Sequence, residues 1–376
     1  MKGKCAGFAV LTAFSVLLMN LVSVAVDTSD IENVRKKEVL DSEDLQIIDK
    51  FVSEAVQELV RTEDFTSIAK VRSAILARDM SSRPSAQAQY AEQFSESAYK
   101  HISWAFKQAG ELTPDDRKFK VMVNLLILVD KLENLRLADL ALGMVRDENT
   151  VIRYWAVHSV TSGSVTKQLN SGKAANLQLA RRVAEHLKGL VESSAPEILA
   201  LMAEFAADVN VPQGEDLLLQ IADMRIKRYA NWSVNYELLD ETVLKSLQKK
   251  LSSAGLSKPA VARRFGQLYS YVMLRYIDGQ NSLSAAQRHQ LASVLVETEK
   301  WCISKLLGTP QSSIKRAIEN HDYTGLLDEH NKLLGDETRA GQLPLKLKFD
   351  YGRGTVGFKR IAPVVLPKPP RVKTSE

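Results

Sequence analysis

The chain has 376 residues, enough for one large or two ordinary domains. Its 45% apolar and 25% charged content excludes a disordered or fibrous chain, and 18 glycines with 11 prolines are too few turn formers for an all-β protein of this size. The formal net charge of +5 is unevenly placed: Gln342 to Glu376 carries eight basic and two acidic residues, so the body is slightly acidic, which argues against a basic nucleic-acid face on the domain.

Residues 1–25 read as a signal peptide. Lys2 and Lys4 give a positive start, an apolar run follows from Ala6 to Leu18, and Ser23-Val24-Ala25 places small residues where cleavage would occur. The competing reading is an uncleaved anchor over 6–26, long enough to cross a bilayer. Residues 26–41 are polar and mixed in charge and read as a flexible lead-in. From 42 to 341 the pattern is helix after helix. Leu45, Ile48, Val52, Val56 and Leu59 recur at three and four residues, which puts them on one face of a helix over 42–60. Phe65, Ile68, Val71 and Ile75 predict a second helix. A third runs over 84–109, closed by Gly110 as a left-handed cap. Thr113-Pro114-Asp115-Asp116 predicts a hydroxyl cap, a proline at the first helical position and acidic residues at the positive end of a helix dipole. The helix it opens, to Glu133, is apolar on more than one face, so a central position is expected.

Further helices are predicted over 135–145, 151–161, 174–192, 196–207, 215–229, 235–253 and 257–276. Ser284-Ala285-Ala286-Gln287 is a capping box for a long helix to Leu307, and short helices fit 312–320 and 324–334. Beyond Gly341, Leu345, Leu347 and Phe349 alternate with Lys346, Lys348 and Asp350 around Gly352-Arg353-Gly354, which predicts a small β-hairpin over 342–362. Four prolines then predict a disordered basic tail over 363–376, the segment suited to an anionic envelope component.

Within the helical stretch, Leu137 to Val160 resembles a HEAT repeat. A turn aspartate, Asp147, is followed by Ile152 and Arg153, then by the small Ala156 and the apolar Val160. Ile152, Ala156 and Val160, four apart, share a face, and Ala156 lets two helices approach. The resemblance is good for this unit and weak elsewhere. It implies an all-α architecture of stacked antiparallel helix pairs, an α-solenoid, with Asp147 and Arg153 tying the turn to its own or the next unit.

Motifs that carry chemistry are sparse. His101, His158, His186, His289, His321 and His330 are scattered without metal-ligand spacing and are expected at the surface or at helix ends. With Cys5 in the signal segment, Cys302 stands alone and reads as a small buried hydrophobe, with no internal disulfide. Ser246 and Lys249 have a Ser-x-x-Lys spacing, but on the expected outer face of a charged helix. Gly352–Gly357 spells GxGxxG in a turn that opens no helix. Asn231-Trp232-Ser233 is a glycosylation acceptor in a eukaryotic secretory pathway. Trp104, Trp155, Trp232 and Trp301 read as core or helix-packing residues, and aromatics at 7% are few for a sugar-lined cleft. No catalytic, cofactor-binding or metal-binding residue is identified, and no cofactor is expected. The expected function is an exported, non-enzymatic protein-binding or assembly scaffold of the cell envelope or extracellular space. Its partner would be a protein, with no nucleic acid and no membrane contact beyond the N-terminal signal or anchor. The alternative is an all-α enzyme acting on envelope polysaccharide through a carboxylate pair that the sequence does not reveal.

Overall fold

A computed structural model describes residues 27–79, 88–253, 258–354, 357–363 and 366–368. The expected signal segment lies outside the described residues, as does most of the expected 363–376 tail. Among the described residues the regular structure is helical, with no strand, and no helix is long and apolar enough to cross a membrane. The chain divides into two compact units, Met1–Leu137 and Ala138–Glu376.

In the first unit the expected lead-in holds a short helix, α1 (Ser29–Val34), because Ile31 and Val34 are apolar enough to be buried. It packs on α2 (Ser42–Arg61). The cap of α2 is Asp41: its carboxylate accepts from the Glu43 and Asp44 amides, and the Asp44 carboxylate accepts from the Asp41 amide. α2 packs on α3 (Phe65–Leu76) and α4 (Ala88–Glu111), and both of those pack on α5 (Asp115–Leu132). α4 continues through Gly110, which therefore does not end it, and residues 84–87 of the predicted helix lie outside the described residues. At the start of α5, Pro114 occupies the cap position with no side-chain cap bond, so Thr113 does not act as the expected cap. α5 buries Val121, Met122, Leu125, Leu126, Leu128 and Val129, as its apolar breadth predicts, but it packs mainly on α3 and α4, so the more central helix is α2.

The boundary between the units falls inside α6 (Leu135–Leu142). The second unit continues with α7 (Thr150–Thr161), α8 (Gly163–Leu169), α9 (Ala174–Lys188), α10 (Pro196–Asp208), α11 (Pro212–Ala230), α12 (Leu239–Ser252) and α13 (Pro259–Asp278). α14 (Ala285–Thr298) runs through a π turn (Glu299–Ile303) into α15 (Ser304–Leu307), followed by α16 (Ser313–Glu319), α17 (Tyr323–Leu334) and α18 (Gln342–Leu347). The contacts alternate. α7, α10, α12 and α14 touch in succession, as do α9, α11, α13 and α17, while α10 meets α11 and α12 meets α13. This is two layers of stacked helix pairs, in which each pair hides its apolar faces against the next.

The expected hairpin over 342–362 is not formed. Residues 342–347 are α18, capped by the extended Gly341 and ended by Lys348 in the left-handed region. Leu343, Pro344 and Phe349 are buried while Leu345 is 68% exposed, so packing against α13 and α17 overrides the two-residue alternation. The turn at Gly352–Gly354 does reverse the chain, with Gly352 at φ 94°. The Arg360 amide donates to the Gly352 carbonyl at 2.7 Å, yet among the described residues of this turn only an isolated bridge between Arg353 and Lys359 results.

Candidate interaction face and the loop behind it

α7 carries the segment that resembles a repeat. Asn149 caps it, accepting from the Val151 amide at 2.9 Å, and the Asp147 carboxylate accepts from the Asn149 amide at 2.8 Å. Arg153 does tie the turn, but its Nη1 donates to the main-chain carbonyl of Asp147 (3.1 Å) and not to the carboxylate. Ile152, Ala156 and Val160 are buried. The opposite stripe of α7 presents Tyr154, Trp155 and His158, whose rings lie 5.5 to 5.9 Å apart.

α10, the next helix in this layer, starts with Pro196 at its first turn and buries every side but one. That remaining side shows Glu197, Glu204 and Asp208. α12 then shows Glu241, Lys245 and Lys249. A groove of about 450 Å³ runs between α10 and α12, floored by Ala207 and Ser246 and walled by these charged groups. Lys249 pairs with Asp208 across it, and Lys245 donates to Glu241 at 2.5 Å. Such exposed pairs contribute about 0–1 kcal/mol each, so they are easily exchanged for a partner's charges. Ser246 is buried at the floor of this groove rather than set on the outer face of α12. Below the groove, the Lys250 ammonium donates to the carbonyls of Ala206 (3.3 Å) and Val209 (3.0 Å), closing the C-terminal end of α10. Burial, with help from Lys258, lowers the Lys250 pKa.

The π turn packs on α12 and carries Trp301, which is 53% exposed and donates its indole N–H to Glu297 at 2.8 Å. Glu299 faces inward, only 2% exposed, and its carboxylate accepts from the amides of Ile314 (2.8 Å) and Lys315 (2.9 Å). It thereby caps α16, whose own Ser312 makes no cap bond. Cys302 is buried as expected, and burial pushes its thiol up to about 12, which removes it as a nucleophile.

Behind the α11–α12 connection lies a cluster of buried charges that the sequence did not signal. Arg225, 1% exposed, donates through Nε and Nη2 to both oxygens of Asp240 at 2.7 and 2.8 Å. Its Nη1 reaches the Asn235 carbonyl at 3.0 Å, and the Tyr229 hydroxyl donates to Asp240 at 2.6 Å. Burial alone would lower the Arg225 pKa, but Asp240 outweighs it and holds the guanidinium charged. Arg275 donates to Glu237 and to the Val234 carbonyl, each at 3.4 Å. These bonds pin the connecting loop in a form that sets Trp232 (φ 55°) and Tyr236 (φ 58°) in the left-handed region, at about 1–3 kcal/mol each.

His186, His289 and His321 are exposed, as expected of surface residues, but His330 is not. His330 is buried, not superficial: its Nε2 lies 2.8 Å from the Ser270 hydroxyl and its Nδ1 3.0 Å from the Asn331 amide oxygen. Burial lowers its pKa. It borders a mostly apolar cavity of about 490 Å³ with Leu274, Leu327 and Pro363. The order serine, histidine, amide resembles a hydrolytic triad, but Ser270 is fully buried inside α13, where the neighbouring amides are held by helix bonds and cannot form an oxyanion hole. His101 sits 3.0 Å from Asp49 in the first unit. Burial opposes ionisation of Asp49, but Lys100 and His101 outweigh it and lower its pKa, the opposite of what a general acid requires. None of the four tryptophans is a core residue: Trp104 and Trp301 are exposed, Trp155 and Trp232 half-buried.

No family model matches the chain, and no curated protein matches it. Among solved structures it is similar to one described as "Structure of the Pds5-Scc1 complex and implications for cohesin function", at 14% identity and a TM-score of 0.29. That match covers 82% of this chain and 52% of the other, so this chain spans about half the length of that one. A second, a crystal structure of an engineered protein, shares 11% identity at a TM-score of 0.24 over 87% of this chain and 95% of that one. Both likenesses are loose, and the description of stacked helix pairs rests on the chain's own contacts.

Proposed function

We propose that this chain is an exported, non-enzymatic scaffold of the HEAT-like kind that binds a protein partner along the α7–α10–α12 layer of its second unit. The observation that supports this reading most is α10, buried on every side except one stripe of acidic residues, set between the ring cluster of α7 and the lysines of α12. Rings with a polar edge beside weakly held charges suit a protein surface better than a small substrate. The repeat-like segment supports the HEAT-like assignment, the apolar N-terminus supports export, and the basic C-terminal residues suit an acidic envelope component. Crosslinking in the native envelope tests the reading, comparing the unaltered chain with a Glu204→Lys, Asp208→Lys variant of equal stability. A partner is expected to crosslink to the unaltered chain and to be lost from the variant. An identical crosslinking pattern in both would sink the proposed face.

A further inference from the structure

The geometry points to a second recognition site, separate from that layer: we propose that the α11–α12 loop, residues 231–238, is a receptor for extended, proline-containing segments of a protein partner. The chain's own Leu366–Lys368 occupies it as an internal competitor. The indole N–H of Trp232 donates to the main-chain carbonyl of Pro367 at 2.7 Å, 135 residues along the chain. Leu366, beside it, is 4% exposed. A bond to a carbonyl reads an extended backbone whatever its side chains, and prolines, which have no N–H and a fixed φ, lose little freedom on docking. This combination of an aromatic N–H and an extended proline segment is a recurring mode of peptide recognition. Pro367 makes the contact, and in the sequence Pro363 precedes it and Pro369 and Pro370 follow it.

The receptor side is built to hold its shape. Arg225 and Arg275 anchor the loop through the carbonyls of Asn235 and Val234, and the Arg275 guanidinium lies 5.2 Å from the Trp232 ring. Arg275 is 3% exposed; its Nη2 faces the Glu237 carboxylate, its Nε and Nη1 have no hydrogen-bond partner among the described residues, and its guanidinium also lies near the rings of Trp232 and Tyr229. The occupant, in contrast, leaves surface uncovered. Tyr236 and Leu238, on the same loop, remain 64% and 47% exposed. A partner segment that covers them as well as Trp232 gains contacts that the chain's own residues do not make.

The test is fluorescence anisotropy of a labelled nine-residue peptide with the sequence of residues 362–370, titrated with the full chain. Saturable binding is expected. Leu366→Asp, which loosens the internal competitor, is expected to tighten it about tenfold, because a receptor that is free in about a tenth of molecules shows a tenth of its intrinsic affinity. Trp232→Phe, which keeps an aromatic side chain but deletes the indole N–H, is expected to abolish binding in either background. Circular dichroism melts of both variants confirm the fold. The proposal is overturned by no saturable binding to the Leu366→Asp chain, by equal affinities with and without that change, or by binding that survives Trp232→Phe.

Discussion

Replacing Asp240 with Asn is the sharpest probe of what holds the second unit together. The change keeps the volume but leaves Arg225, 1% exposed, with no counter-charge for the two bonds it makes at 2.7 and 2.8 Å. Deleting one partner of a buried pair costs about 3–5 kcal/mol, because the remaining charge stays desolvated. For a unit of this size each kcal/mol lowers the melting temperature by about 2–4 °C, so a drop on the order of 10 °C is expected. The assay is urea unfolding followed by circular dichroism and tryptophan fluorescence, since coincident curves are needed before a free energy is read from either. The companion variant Arg225→Met, Asp240→Leu, Tyr229→Phe removes every member of the pair and its hydroxyl donor. It is expected to recover most of the loss, since apolar replacements of buried ion pairs are often neutral or stabilising. The same triple variant should speed amide exchange across the α11–α12 loop, whose carbonyls lose Arg225. A cost below about 1 kcal/mol for Asp240→Asn, or a triple variant as damaged as the single one, would refute this account.

Other outcomes follow from single side chains. Glu299→Gln removes the charge that caps α16 and is expected to cost about 1–2 kcal/mol, read as faster hydrogen exchange at the Ile314 and Lys315 amides. Lys250 has a folded-state pKa lowered by burial, so below 10.5 the unfolded chain holds that proton more tightly. Stability should therefore rise with pH between the lowered value and 10.5, and Lys250→Met should flatten that slope in urea midpoints. Cys302, with its thiol at about 12, should resist alkylation at pH 8 in the folded chain and react at once in urea.

Most helices were legible because their apolar residues recur every three or four positions, and the Ser284–Gln287 box forms as its residues suggest. The failures share one cause, competition from contacts distant in sequence. α18 alternates like a strand, but α13 and α17 bury Leu343 and Phe349 and leave Leu345 in solvent. Of the candidate face only the helix α7 was legible, through Ile152, Ala156 and Val160 on its buried side. The Arg225–Asp240 pair spans 15 residues and the Ser270–His330 contact spans 60, and neither leaves a local pattern that periodicity can detect. Trp232 looked like a packing residue because a tryptophan's hydrogen-bonding duty depends on which carbonyl comes near it.

The wide turn at Glu299–Ile303 also ties two helices together. α16 is seven residues long, too short to persist alone, and the carboxylate at its start arrives from 15 positions earlier in the chain. That carboxylate faces inward only while the extra residue of the π turn keeps the helix locally overfull. Deleting one residue from the turn would restore the tighter coil, swing Glu299 about a quarter of a revolution away and strand the next helix without its anchor. The π turn and α16 are thereby coupled: a change in the first is felt at the Ile314 and Lys315 amides of the second.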